Sequence, residues 1–202
     1  MFFKDYIERA IKTESNDFDA VGGRLNNKHV VRLLHACLGM VTETSELFEA
    51  INKHDLLNIR EELGDLFWYL AVAYDSFNAY FSATFRHYQA YPYIPAPWKL
   101  IESDYMEHNI EHLLFNNISA LFDVVKKNIF YGKQLERNEI LYMLQGILNK
   151  VCFIVYIRCL DLDSILNDNI EKLKSRYGES FSEERALNRD VENELSHMKD
   201  KV

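Results

Sequence analysis

The chain has 202 residues, 48% of them hydrophobic and 27% charged, which is enough for one sizeable core or two small ones and too apolar for low-complexity disorder. Its formal net charge of −8 at pH 7 argues against a duplex-binding protein, which needs a basic face. An anionic ligand would therefore require a cation or a local basic cluster to reverse the field.

The opening MFFKDYIERA takes on acidic residues early and no long apolar run follows, so it does not read as a secretory signal. No uncharged apolar stretch reaches the roughly 18 residues that a membrane helix needs, so no membrane partner is expected. Cys37, Cys152 and Cys159 form no C-x-x-C pair and read as reduced thiols of a cytoplasmic protein. Gly (7) and Pro (3) are scarce, strand signals are poor, and the expected fold is all-α.

A first helix is expected from Phe2 to about Thr13, followed by a polar loop that contains Gly22 and Gly23. The second runs from about Asn27 to Lys53, with Val30, Leu34, Cys37, Leu38, Val41, Ser45 and Phe48 as its inward stripe. A short turn at His54-Asp55 leads to a third helix over about 57–85, with Ile59, Leu63, Leu66, Phe67 and Leu70 facing inward. Pro92, Pro95 and Pro97 all lie in the segment 91–98, the best candidate for a connection between possible halves 1–90 and 99–202 of one domain. Further helices are expected over about 102–130, 136–160 and 163–176, with a charged tail from Ser182. Leu47-Phe48-Glu49-Ala50-Ile51-Asn52-Lys53 echoes Leu121-Phe122-Asp123-Val124-Val125-Lys126-Lys127, which suggests two duplicated helical hairpins or a coincidence of amphipathic helices.

The densest chemical signal is GMVTETSELFEA followed by NIREELGDLFWY. Glu43 and Glu46 are three apart on one helix, and Glu62 and Asp65 three apart on the next, so each pair shares a face. A short turn makes the helices antiparallel and sets the pairs across one groove. Four facing carboxylates repel unless a hard divalent cation joins them. Magnesium prefers oxygen ligands and bridges carboxylates to phosphate. The alternative is a solvated acidic face, which either pair alone would fit.

Asn169, Lys172 and Arg176 project from one side of a later helix, with Tyr177 following. That stripe suits a triphosphate, although it also suits surface pairing with Asp168 or Glu171. Lys126, Lys127, Tyr131, Gly132 and Lys133 form a second basic element at a helix end, where cations are favoured in any case. His108-Asn-Ile-Glu111-His112 matches a zinc-peptidase pattern but lacks the context for a third ligand.

Taken together, these segments resemble the MazG-like nucleotide pyrophosphohydrolases, an all-α superfamily that includes dimeric dUTPases. The resemblance rests on E-x-x-E and E-x-x-D at Glu43, Glu46, Glu62 and Asp65, on the flanking words LLHACLGMVTETSELFEA and EELGDLFWYLA, and on the phage- and bacterial-type ends DYIERAIKTES and NIEKLKSRYGESFSEERALNRD. It implies a helical bundle and magnesium on the four acids, with manganese able to substitute. The implied reaction cuts a nucleoside triphosphate with a metal-activated water to monophosphate and diphosphate. Lys172, Arg176 and Tyr177 would contact the triphosphate, Lys53, Lys126 and Lys127 would assist, and Trp68 or Tyr69 would stack on the base. A homodimer, in the cytoplasm or the host cytoplasm of a phage, is also implied. An alarmone (ppGpp) hydrolase and an inactive nucleotide-binding or helical interaction protein are the other readings. The chain departs from the pattern in three places: KKNIFYGK falls in the second half, ILYMLQGILNKVCFIVYI lacks E-x-x-D, and the last motif reads RYG where RYP is expected. One active site per chain is the expectation that follows.

Overall fold

The computed structural model describes residues 3–79, 103–178 and 181–188, and of 103–108 the backbone alone. Every regular element among the described residues is helical: α1 (Phe3–Ala10) with a 3-10 turn (Ile11–Thr13), α2 (Phe18–Leu25), α3 (Lys28–Lys53), α4 (Leu56–Ser76), α5 (Ser103–Tyr131), α6 (Arg137–Ile157), α7 (Leu162–Tyr177) and α8 (Glu183–Leu187). The fold is all-α, as the scarcity of Gly and Pro and the poor strand signals imply. The proline segment 91–98, the stretch 80–85 and the tail beyond 188 lie outside the described residues.

The helix starts are local chemistry. Asp17, Asn27, Asp55 and Asp161 each cap a helix by accepting a hydrogen bond from a backbone N–H of its first turn. Gly178, with φ 68°, ends α7 in a conformation that costs glycine little.

α3 and α4 form one antiparallel hairpin and α5 and α6 pack as a second pair. α3 lies against α5 and α4 against α6, so the pairs share one core. α7 lies along α4, and α2 bridges α3 and α5. Leu33, Met40, Leu47, Leu63, Leu70, Leu114, Leu121 and Leu144 are fully buried between these helices. α6 is long and apolar enough to cross a membrane, and half of its apolar window is buried inside this core.

Three expectations are corrected. The segment read as a polar loop is helix α2, despite Gly22 and Gly23. Asp17 caps it, Val21 enters the core, and Arg24 Nε donates to the Ile129 carbonyl at 2.6 Å, so tertiary contact overrides the low helix propensity of glycine. The inward stripe of α3 is turned: Leu33, Ala36, Met40, Thr44 and Leu47 join Val30 and Cys37 in the core. Leu38 and Ser45 face outward, while Leu34, Val41 and Phe48 flank the core. α3 packs against both α4 and α5, so the face it buries is wider than the stripe and centred elsewhere. Finally, α4 stops at Ser76 rather than Phe85. Phe77 closes it, and Asn78 takes a left-handed φ of 49°, a conformation asparagine tolerates.

Candidate metal centre and phosphate site

A two-residue turn brings the acids together. His54 adopts a left-handed conformation (φ 55°), and its N–H and that of Asp55 bond back to Ile51 and Ala50 carbonyls at 3.1 and 3.0 Å. The Asp55 carboxylate then accepts from the Asn58 backbone N–H at 3.2 Å and from Asn58 Nδ2 at 2.7 Å, which starts α4 at once. Glu43 and Asp65 stand equally far in sequence from His54, as do Glu46 and Glu62. The acids therefore occupy two levels of the hairpin, one helical turn apart. Gly39 lets the Tyr69 ring lie on α3, since a Cβ there would overlap the ring atoms around Cζ.

Glu43, Glu62 and Asp65 each offer an oxygen within 4.8 Å of the others. Glu62 is buried; Glu43 and Asp65 are half-buried. Burial pushes Glu62 up to about 9, helped by a hydrogen bond to Glu43 and by the charges of Glu43, Glu61 and Glu46. Burial also raises Glu43, as do the charges of Asp65 and Glu46. In the metal-free chain Glu62 is thus a neutral acid donating to the Glu43 carboxylate. Glu46 is exposed and stands outside the close set, near enough for its charge to reach both neighbours. Three converging carboxylates, one of them held protonated, fit a hard divalent cation, which would replace the shared proton.

α7 supplies the other wall. Asn169 Nδ2 donates to Asp65 Oδ1 at 2.6 Å, and Lys172 Nζ donates to both Asp65 oxygens at 2.6 and 2.5 Å. Lys172 also reaches Glu61 at 3.3 Å, and its side chain is 1% exposed. Burying an ammonium is tolerable because these carboxylates pair it. Gly64 permits the close approach of α7, since a Cβ there would meet Asn169 Cβ at 3.0 Å. On the same seam, Arg60 donates to Asp168 Oδ2 and to Ser164 Oγ, each at 2.6 Å. Arg176 and Tyr177 are half-buried, and their charges reach Tyr69, which burial pushes up to about 12 with Glu43 and Asp65 adding to the shift.

An aromatic group adjoins the acids. Trp68 and Tyr69 meet edge-on with centroids 4.8 Å apart, and His35 stands edge-on to both, at 5.9 and 5.5 Å.

The expected site residues thus divide. Glu43, Glu62, Asp65, Asn169 and Lys172 converge, with Arg176, Tyr177 and Trp68 beside them. Lys53 is exposed and pairs with Glu49, while Lys126 and Lys127 are exposed and pair with Asp123 on their own helix. No contact joins these three lysines to the acids among the described residues. In the H-x-x-E-H segment Glu111 is half-buried and His112 exposed, and the His108 side chain lies outside the described residues.

Sequence reasoning missed Glu61, His35 and the Arg60–Asp168 pair. Glu61 could have been found from its place beside Glu62, and His35 from its position one turn before Gly39. Arg60 and Asp168 lie on helices distant in sequence and carry no local signal.

Residues 33–84 match the family model described as the MazG nucleotide pyrophosphohydrolase domain, a span that holds all four acids, Trp68 and Tyr69. No curated protein and no solved structure matches the chain.

Proposed function

We propose that the chain is a magnesium-dependent nucleoside triphosphate pyrophosphohydrolase that converts a (deoxy)nucleoside triphosphate and water to the monophosphate and diphosphate. The observation that carries this reading is the convergence of Glu43, Glu62 and Asp65 within 4.8 Å, inside the segment that matches the family model. Glu43, Glu62 and Asp65 would hold the cation, with Glu46 completing the set, and manganese could replace magnesium. When bound, such an ion stabilises charge on phosphoryl oxygens and acidifies a water.

The chain's own residues supply the rest. Lys172 and Asn169 fix Asp65. Arg176 and Tyr177, at the edge of the acids, meet the triphosphate, since a guanidinium matches phosphate oxygens in bidentate fashion. Trp68, Tyr69 and His35 offer ring faces and edges to the base.

The second hairpin is read as a duplicated unit that lacks acids at the four equivalent positions. Aligning Leu47–Lys53 on Leu121–Lys127, and the N-cap Asp55 on the N-cap Glu136, sets Asn117 and Ala120 at the places of Glu43 and Glu46, and Met143 and Gly146 at those of Glu62 and Asp65. Leu47 and Leu121 are both fully buried, and Lys53 and Lys127 both pair with the acid four residues before. Asn117 lies over Gly146, its Nδ2 2.7 Å from where a Cβ would stand.

A panel of ribo- and deoxynucleotides with magnesium, resolving diphosphate from single phosphate, tests the proposal. Release of diphosphate with monophosphate is expected. Release of inorganic phosphate alone, or turnover of ppGpp but of no triphosphate, would overturn it.

A further inference from the structure

Asp65 receives its hydrogen bonds from α7, and α7 is held to α4 by a second polar contact that touches none of the acids. Arg60 Nη2 donates to Asp168 Oδ2 and to Ser164 Oγ, each at 2.6 Å. The Arg60 and Asp168 side chains are 11% and 1% exposed. Asp168 directly precedes Asn169, which donates to Asp65, and stands one turn before Lys172, which grips both Asp65 oxygens. On α4, Arg60 stands one turn before Gly64, where a Cβ would crowd Asn169 of α7.

The seam is therefore polar where most helix contacts are apolar, and it needs a fixed register. A slide or rotation of α7 would carry Asn169 and Lys172 off Asp65 together. Apolar packing is tolerant of small slides, whereas a guanidinium shared between a carboxylate and a hydroxyl is directional. The donors around a ligating carboxylate set its orientation and hence the affinity of the metal.

We propose that Arg60 and Asp168 are positioning residues: their buried ion pair sets the register of α7 on α4, so that Asn169 and Lys172 hold Asp65 in the orientation that binds the cation. This rests on the reading of Glu43, Glu62 and Asp65 as metal ligands. Ser164 supports the pair, and Glu61 shares Lys172 with Asp65.

The test is binding of Mn2+ alone to the full chain, read by the electron paramagnetic resonance of the free ion, with unfolding followed separately by circular dichroism. The double variant Arg60→Met/Asp168→Leu replaces the pair with apolar groups of similar size and removes both charges together, a change that proteins tolerate. It is expected to stay folded, with a Kd for Mn2+ weakened about tenfold or more, in the range seen when groups supporting metal ligands are removed. A folded double variant whose Kd stays within about twofold of the wild type would overturn the proposal, because a purely structural pair would leave metal affinity alone. Should the double variant not fold, Asp168→Asn keeps the shape and one acceptor, and the same threshold applies to it. Glu62→Gln separates the two readings. If the wild type binds no Mn2+, or binds it equally after Glu62→Gln, the metal site itself fails and this proposal with it. If Glu62→Gln weakens binding but the seam variants do not, only the positioning role fails.

Discussion

Burial and the neighbouring Glu43 push Glu62 up to about 9, so without metal this side chain stays a neutral acid at pH 7. The sign of the linkage follows. Between the ordinary glutamate range and about pH 9 the unfolded chain has lost this proton and the folded chain has kept it. The unfolded state binds fewer protons there, so stability of the metal-free chain falls as pH rises through that window and levels off above it. Urea titrations at several pH values should show this decline in the presence of a chelator. Glu62→Gln should flatten it, raise the metal-free stability at alkaline pH and abolish turnover. A metal-free wild type whose stability rises from pH 5 to pH 9 would contradict the shared-proton picture. Lys172 is the opposite kind of residue, a buried cation that two carboxylates hold in place.

At the scale of the helix, the α3–α4 hairpin is an instrument for bringing acids together, and two glycines set its tolerances. Gly39 is occupied by the Tyr69 ring, and Gly64 by Asn169 of α7. Gly39→Ala should cost about 1–3 kcal/mol of overpacking, more than the up to about 1 kcal/mol that alanine gains over glycine inside a helix. It should also push Tyr69 away from Glu43 and Asp65, and so lower activity. Gly22 of α2 makes the control, because a Cβ there meets nothing within 4 Å. Gly22→Ala should raise stability by roughly 0.5–1 kcal/mol. Chemical denaturation of the two variants checks the contrast, and equal effects would show that the Tyr69 contact carries no weight.

For the whole molecule, two helical hairpins share one core but carry one set of acids among the described residues. Asn117, Ala120, Met143 and Gly146 hold no negative charge and could not collect a hard cation. Calorimetric titration of the full chain with a non-hydrolysable triphosphate and magnesium should give one site per chain. Two equal sites would overturn the reading of the second hairpin as support. That hairpin has a structural task whatever its history, since α5 and α6 cover the apolar faces of α3 and α4.

By itself the sequence determined the all-α class and the antiparallel α3–α4 hairpin. These follow from periodicity, caps and a two-residue turn, which are interactions between near neighbours in the chain. The inward stripe of α4 was legible because Ile59, Leu63, Leu66, Phe67 and Leu70 recur at helical spacing, and all five are buried. The stripe of α3 was not, since the face it turns to α4 and α5 is centred away from the expected one, and α2 was hidden behind Gly22 and Gly23. The tertiary structure alone decided that Asn169 and Lys172 close on Asp65 and that Arg60 meets Asp168, whereas Lys53, Lys126 and Lys127 pair with acids three or four residues away on their own helices. Long-range ion pairs leave no periodic trace in a sequence. Their partners are chosen by the register of helices that meet only after folding.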